Sequence, residues 1–264
     1  MTGQSDLEPI ATRTVDRLRV RLYGDRRSMG AAAAVDMATA MRAALGRQSG
    51  VRIVFAAAPS QNEFLDALAG APGIDWSRVT AFHMDEYAGL SPDAPQAFGR
   101  YLTERLFDCI QPGVVHLIDG SNPAEHECAR YAALLRAAPL DIVCLGIGEN
   151  GHLAFNDPPF ADFDDPATVR LVELHQASRR QQVNDGCFAR LDDVPTHALT
   201  MTIPALLAAT MLSCVVPGPA KRHAVTATVN GPITPACPAS ILRTHPDCTL
   251  YLDVESATGT SLVE

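Results

Sequence analysis

The sequence predicts one α/β domain, a Rossmann-like, mainly parallel sheet doubly wound with helices on both faces. Three observations predict it. Short β-branched and apolar runs alternate with longer helix-prone stretches at the spacing of βαβ units. The strongest runs, Val51-Arg52-Ile53-Val54-Phe55 and Ile142-Val143-Cys144-Leu145, are nearly continuous, as in strands covered on both sides. The chain of 264 residues, 47% of them hydrophobic, can bury one large core, and no Ser/Gly linker, charge block or internal repeat divides it.

Residues 1–27 are polar and Arg-rich (Arg13, Arg17, Arg19, Arg21, Arg26, Arg27) and read as an N-terminal extension to a domain over 28–264. One short strand is expected there, at Leu18-Arg19-Val20-Arg21-Leu22. Residues 28–45, rich in Ala with spaced Met, have high helix propensity, and the β-branched Val51 run follows them. A helix near 61–68, a strand ending at Met84, a helix near 96–110 and a strand at 114–118 continue the alternation. A helix near 124–135 leads into the Ile142 strand, and the runs at 211–216 and 248–252 add two more strands.

Bulk properties exclude several function classes. A net charge of −9 without any basic run argues against nonspecific attraction to nucleic acid, while allowing a local cationic pocket for a phosphate. No apolar run approaches the ~20 residues that span a bilayer, so no membrane contact is expected. The start, Met1-Thr2-Gly3-Gln4-Ser5-Asp6-Leu7-Glu8, lacks the basic and apolar regions of a signal peptide. Seven cysteines, an odd number without CxxC spacing, read as small buried hydrophobes in a reducing cytoplasm. No His or Cys pair stands at ligand spacing, so no metal is expected. Gly146-Ile147-Gly148 lacks the third glycine of a dinucleotide fingerprint, so no nucleotide cofactor is expected either.

The chemistry concentrates after predicted strands. The Ile142 strand stops at glycines that permit close backbone approach, and within the next residues come an amide (Asn150), an imidazole (His152) and a carboxylate (Asp157). Asp85-Glu86 and Pro59-Ser60 also follow predicted strands. Ligands in a parallel sheet collect beyond the carboxyl ends of the strands, so all three segments should converge on one edge. That arrangement points to an enzyme.

Met84-Asp85-Glu86-Tyr87-Ala88-Gly89-Leu90, together with Gly146-Ile147-Gly148-Glu149-Asn150-Gly151-His152-Leu153-Ala154-Phe155-Asn156-Asp157-Pro158, resembles the paired motifs of the glucosamine-6-phosphate deaminase (isomerase) family. His197-Ala198-Leu199-Thr200-Met201-Thr202-Ile203-Pro204, Val215-Val216-Pro217-Gly218-Pro219-Ala220-Lys221 and Pro238-Ala239-Ser240-Ile241-Leu242-Arg243-Thr244-His245-Pro246 resemble it in the same order. The resemblance covers roughly residues 28–255. It implies an aldose–ketose isomerisation with loss of ammonia, a small amino-sugar phosphate as substrate and no cofactor. It leaves a homo-oligomer open.

By the resemblance, Asp85 is the base that removes the C2 proton, work that suits a partly desolvated carboxylate. His152 opens the pyranose ring, since imidazole moves protons near neutral pH, and Asp157 holds its tautomer. Glu86 orients neighbouring loop groups or water, and Tyr87 packs over the sugar or supports the loop. Lys221 matches the family's phosphate-binding Lys. Ser60, Gln61 and Gly148 line the phosphate and sugar side, with Ser60 capping the following helix where free N–H groups favour an anion. An Arg from the lid segment Ser178-Arg179-Arg180-Gln181-Gln182 is expected to join them, Arg179 being the preferred one.

The chain departs from the family at several points. An acidic residue commonly stands where this chain has Asn150, and Glu where it has Asp157; an amide can orient an imidazole but cannot exchange a proton with it. The family's first strand-to-helix turn is rich in Gly and Thr, whereas here it is Ala56-Ala57-Ala58-Pro59-Ser60-Gln61. The segment matching the cationic cluster of allosteric members, Val169-Arg170-Leu171-Val172-Glu173, carries one Arg and a Glu, which speaks against regulation by an acetylated amino-sugar phosphate. Two other functions compete. A 6-phosphogluconolactonase typically has Arg after its Asp-Glu pair, where this chain has Tyr87. A noncatalytic sugar-phosphate sensor would need a DNA-binding module, for which the residues before the first helix are too few.

Overall fold

The computed structural model describes residues 7–260 and 262. In chain order the strands are β1 (Ala11–Val15), β2 (Leu18–Tyr23), β3 (Val51–Phe55), β4 (Val79–His83), β5 (Asp85–Tyr87), β6 (Val114–His116), β7 (Ile142–Leu145), β8 (Val169–Glu173), β9 (His197–Met201), β10 (Met211–Val216) and β11 (Cys248–Asp253). The helices are α1 (Arg26–Leu45), α2 (Asn62–Ala69), α3 (Phe98–Leu102), α4 (Asp108–Ile110), α5 (Ala124–Arg136), α6 (Gln176–Asn184), α7 (Ile203–Leu207) and α8 (Arg222–Asn230). A π-helical segment, Thr103–Phe107, joins α3 to α4, so the predicted 96–110 helix is one rod with a widened middle.

Eight strands form the main sheet in the order β1-β2-β11-β10-β7-β3-β4-β6, parallel from β2 to β6. Because side chains alternate across a strand, each strand feeds two cores. Ile53, Phe55, Ala81 and Cys144 face the layer of α1, α2 and α3, where Met37, Phe64 and Leu102 pack. Val54, Phe82, Val143, Leu145 and Cys214 face the opposite layer of α5, α7 and α8, where Tyr131, Leu206 and Val225 pack. The two layers make the sheet doubly wound, as the continuous apolar runs predict.

Two features differ from the sequence expectation. Residues 11–27 are not an appendage: β2 pairs in parallel with β11, β1 closes the edge as its antiparallel partner, and α1 already starts at Arg26. Arg21 of this stretch pairs with Asp36 of α1 at 2.5 Å. β1 escapes the sequence reading because it is an edge strand whose Thr12, Arg13 and Thr14 are exposed. The earlier part of that stretch, residues 1–6, lies outside the described residues, as do residues 261, 263 and 264 of the expected domain. Secondly, β5, β9 and β8 form a separate antiparallel sheet that the βαβ alternation does not predict. No helix among the described residues is long and apolar enough to cross a membrane.

Candidate active site

From β3 the chain runs outward to β4 and β6, then returns to β7 on the other side of β3 and continues to β10 and β11. The order reverses between β3 and β7, and the crevice above such a reversal is where open α/β sheets bind ligands. A pocket with about 510 Å³ of open space sits there. Segments following four strands line it: Ser60 and Gln61 after β3, Asp85 after β4, Gly148 and His152 after β7, and Lys221 after β10. The convergence expected from sequence is present, and α6 adds a wall of Gln181 and Gln182.

Asp85 stands where the chain leaves one sheet for the other. Its backbone pairs with Thr200 on β9, and Met201 N donates to Met84 O at 2.8 Å. Below it, burial pushes the His83 imidazole down to about 3, so the ring is neutral and its Nε2 accepts from Ile118 N at 2.7 Å. Burial, and the neighbouring Glu86 carboxylate, push the Asp85 carboxyl up to about 8. β9 also braces the imidazole loop: Phe155 N donates to Thr200 Oγ1 at 3.0 Å, and Asn156 Nδ2 donates to Leu153 O and Met201 O at 2.8 and 2.9 Å. One strand thus sets the position of both chemical loops.

Glu86, expected among the substrate-side residues, does not line this pocket. Its oxygens accept from Tyr87 N, Phe98 N and Gly99 N at 2.9, 3.2 and 2.9 Å, capping the start of α3. Strand alternation turns it away from Asp85, and through Phe98, a pocket residue, it shapes the wall. Burial raises its carboxyl to about 7 despite those three donors. Tyr87 is fully buried in an aromatic cluster, with ring centroids 4.8 Å from Phe98 and 5.4 Å from Phe188, so it supports the loop and does not stack on a ligand.

His152 is anchored by one edge. Its Nδ1 lies 2.8 Å from Asn150 Oδ1, 2.9 Å from Ser178 Oγ and 3.2 Å from Asp157 Oδ1. Asn150 Nδ2 donates to Asp157 Oδ1 at 2.9 Å, and the Ser178 hydroxyl donates to the same oxygen. The shorter Asp157 therefore reaches the imidazole, with Asn150 bridging the two. Burial alone would raise the Asp157 carboxyl, but hydrogen bonds from His152, Asn150 and Ser178 bring it below the ordinary value. Gly148 is required here, because a Cβ on it would overlap the His152 ring.

Lys221 is buried to 7% exposure, and burial lowers its pKa while Asp185 and Glu149 partly offset that effect. It ends the turn begun by Gly218, whose φ of +89° a side chain would strain and whose N–H donates to both Asp253 oxygens at 3.0 Å. Gln61 is fixed by Nε2 donating to Val215 O at 3.0 Å, while its Oε1 has no partner among the described residues. Ser60 lines the pocket but does not cap a helix: neither Pro59–Gln61 nor α2 has a side-chain cap, since Pro59 opens the turn and Ala58 holds the cap position.

Arg179 is misplaced by the sequence reading. On α6 the buried positions are Ser178, Gln181 and Gln182, one stripe at i, i+3 and i+4. Arg179, about 100° further round the helix, donates from Nη2 to Leu191 O and Val194 O, both at 2.8 Å, and ties α6 to the turn below it. Gln181 and Gln182, which line the pocket, and Ser178, which holds the Nδ1 edge of His152, are the residues that sequence reasoning misses. The Ser-x-x-Gln-Gln spacing is the signal that could have found them, had this polar stretch been read as a helix.

The comparisons with known proteins agree with this geometry. The family model described as glucosamine-6-phosphate isomerases/6-phosphogluconolactonase matches residues 24–251. A glucosamine-6-phosphate deaminase of an Exiguobacterium species is 41% identical over 185 residues, 70% of this chain and 71% of that one. One from Listeria innocua is 39% identical over 185 residues, 70% and 77% of the respective chains. A solved monomeric glucosamine-6-phosphate deaminase superposes with a TM-score of 0.83 at 29% identity, covering 90% of this chain and 98% of that chain. The Thermotoga maritima 6-phosphogluconolactonase, at 20% identity and TM-score 0.72 over 91% and 100% of the two chains, shares the fold. The chain belongs to the glucosamine-6-phosphate isomerase/6-phosphogluconolactonase family.

Proposed function

We propose that the chain converts glucosamine 6-phosphate and water into fructose 6-phosphate and ammonia. The observation that carries this is a single pocket holding two unlike proton-handling groups, the basic carboxyl of Asp85 and the anchored imidazole of His152, beside the buried cation of Lys221. With Nδ1 held, Nε2 is the working edge of the ring. It accepts the proton of the anomeric hydroxyl as the C1–O5 bond breaks, and returns a proton to O5. Asp85 then takes the C2 proton of the open-chain aldehyde, and the C1 oxygen gains a proton to give an enolamine. Protonation at C1 yields a C2 imine, to which water adds as ammonia leaves.

A carbon acid needs a strong base, and a carboxyl raised to about 8 is more basic than one in water. Lys221 is the group suited to the substrate phosphate, because a desolvated ammonium gains most from an anionic partner. Lactone hydrolysis removes no proton from carbon and asks only for activation of a water, a less demanding task for a base than a carbon acid. The deciding assay runs ammonia release from glucosamine 6-phosphate and galactosamine 6-phosphate beside hydrolysis of 6-phosphogluconolactone. Ammonia release without lactone turnover is expected; lactone turnover without ammonia would overturn the reading.

A further inference from the structure

The Asp85 carboxyl has no partner. It is only 8% exposed and lines the pocket, yet neither oxygen forms a hydrogen bond or an ion pair among the described residues. The other two buried carboxylates nearby are both satisfied. Asp157 accepts from Asn150 and Ser178 and lies 3.2 Å from the His152 ring, and Glu86 accepts from three backbone N–H groups. Buried polar groups are normally paired, so an exception that faces a cleft points to a partner from outside the chain.

The protein's own charges around Asp85 do not supply that partner. Glu86 beside it has the same sign. His83 at the end of β4 is neutral, and burial keeps the Tyr87 and Tyr131 hydroxyls un-ionised. β9 pairs with it at Thr200, which is uncharged. Across the pocket, His152 is engaged with Asp157, and the charges that face Lys221 are those of Asp185 and Glu149. α6 turns only the amides Gln181 and Gln182 to the pocket. A buried carboxyl without a cation gains most from a ligand that brings one.

We propose that the substrate's C2 ammonium is the missing counter-ion of Asp85, and that through this contact Asp85 selects 2-amino sugar phosphates over their 2-hydroxy counterparts. The proposal rests on the base role given to Asp85 above. Nitrogen and the departing proton share C2, so a carboxylate about 3–3.5 Å from that carbon lies inside the ~4–6 Å over which an opposite charge favours ionisation. In the free protein at pH 7 the carboxyl holds its proton. On binding, that proton passes to solvent and the carboxylate pairs with the ammonium, so the substrate readies its own base. A 2-hydroxy sugar phosphate brings no such charge and leaves the carboxyl protonated. Pairing takes back part of the raised basicity of Asp85, but the positive charge on nitrogen acidifies the C2 proton at the same time. Once that proton is gone, the nitrogen loses one of its own to give the enolamine. Ionisation of Asp85 therefore favours kcat/KM only while the substrate keeps its ammonium.

The test uses two ligands that lack the C1 carbonyl and cannot react, 2-amino-2-deoxyglucitol 6-phosphate and glucitol 6-phosphate. Calorimetric titration at pH 7, in buffers of different ionisation enthalpy, gives both the affinity and the protons released on binding. The two ligands share the phosphate, so their difference isolates the nitrogen. With wild type the amino ligand should release about 0.9 proton more than the hydroxy ligand, the protonated fraction of a carboxyl raised to about 8. It should also bind about 10-fold tighter, the gain of one charge-assisted hydrogen bond. In Asp85→Asn both differences should vanish while both ligands still bind. Equal proton release and equal affinity in wild type would overturn the proposal, as would an amino preference that survives Asp85→Asn. Neither ligand is turned over, so a wild type that released no ammonia from glucosamine 6-phosphate would remove the function proposed above, and the binding comparison would still decide whether Asp85 reads the ammonium.

Discussion

Asp85 is a strong base because the fold withholds water from it and sets Glu86 beside it. Asp85→Asn should therefore lower kcat by ~100-fold or more while sugar-phosphate binding persists, since general-base catalysis is worth about 10²–10⁴; near-normal turnover in steady-state kinetics would remove Asp85 from the mechanism. For wild type, kcat/KM reports the free enzyme and should climb as pH rises through about 8, where the carboxyl ionises. Lys221 acts differently, gripping a phosphate that does not react. Lys221→Ala should chiefly raise KM with kcat nearly kept, because a contact equal in ground and transition states lowers KM alone. An unchanged KM for the phosphorylated substrate would move the phosphate elsewhere.

Among the elements, β9 does the least visible work and much of the positioning. Asn156 spans from the imidazole loop to β9, and Asn156→Ala would leave Leu153 O and Met201 O without that donor. Leu153 O keeps Asn156 N at 3.0 Å and Met201 O keeps the Thr200 hydroxyl at 3.2 Å, so the loss is that of two ordinary hydrogen bonds, about 0.5–1.5 kcal/mol each. Thermal unfolding should register this as a lower Tm, and kcat should fall with it as the His152 loop loosens. An Asn156→Ala protein with wild-type Tm would show that the brace is not needed. These same elements mark the limit of what was legible in sequence. β3, β7 and β10 stand out because apolar strands buried on two faces write themselves as unbroken runs, and Ser60, His152 and Lys221 lie in the segments just beyond them. β8 does not, since Arg170, Leu171 and Glu173 are exposed and its pattern lacks a clean alternation. α6 hides for a similar reason: its inner stripe is Ser-Gln-Gln, so no apolar periodicity reveals which side faces in, and Arg179 looks as eligible as Ser178. Glu86 shares a motif with Asp85, yet the alternation of a three-residue strand sends it to cap α3. Motif membership located the loop; only side-chain direction separated the base from the brace.

For the whole molecule, the crevice between β3 and β7 carries a cost in stability as well as a function. Asp85 titrates near its ordinary 3.8 in the unfolded chain and at about 8 in the folded one. Between those values the folded state holds a proton that the unfolded chain has released, so stability declines as pH rises through this window, by up to about 1.4 kcal/mol per pH unit, and the decline ends above pH 8. Glu86, raised to about 7, adds to the same slope. An amide in place of the carboxyl has no proton to lose. The Tm of Asp85→Asn should therefore match wild type near pH 4, exceed it increasingly towards pH 8 and keep a constant advantage beyond. Melting curves of the two proteins across pH 4–9 measure this difference. Parallel curves would mean that the Asp85 carboxyl is solvated in the folded protein, and the basicity that makes it suited to a carbon acid would have no physical source.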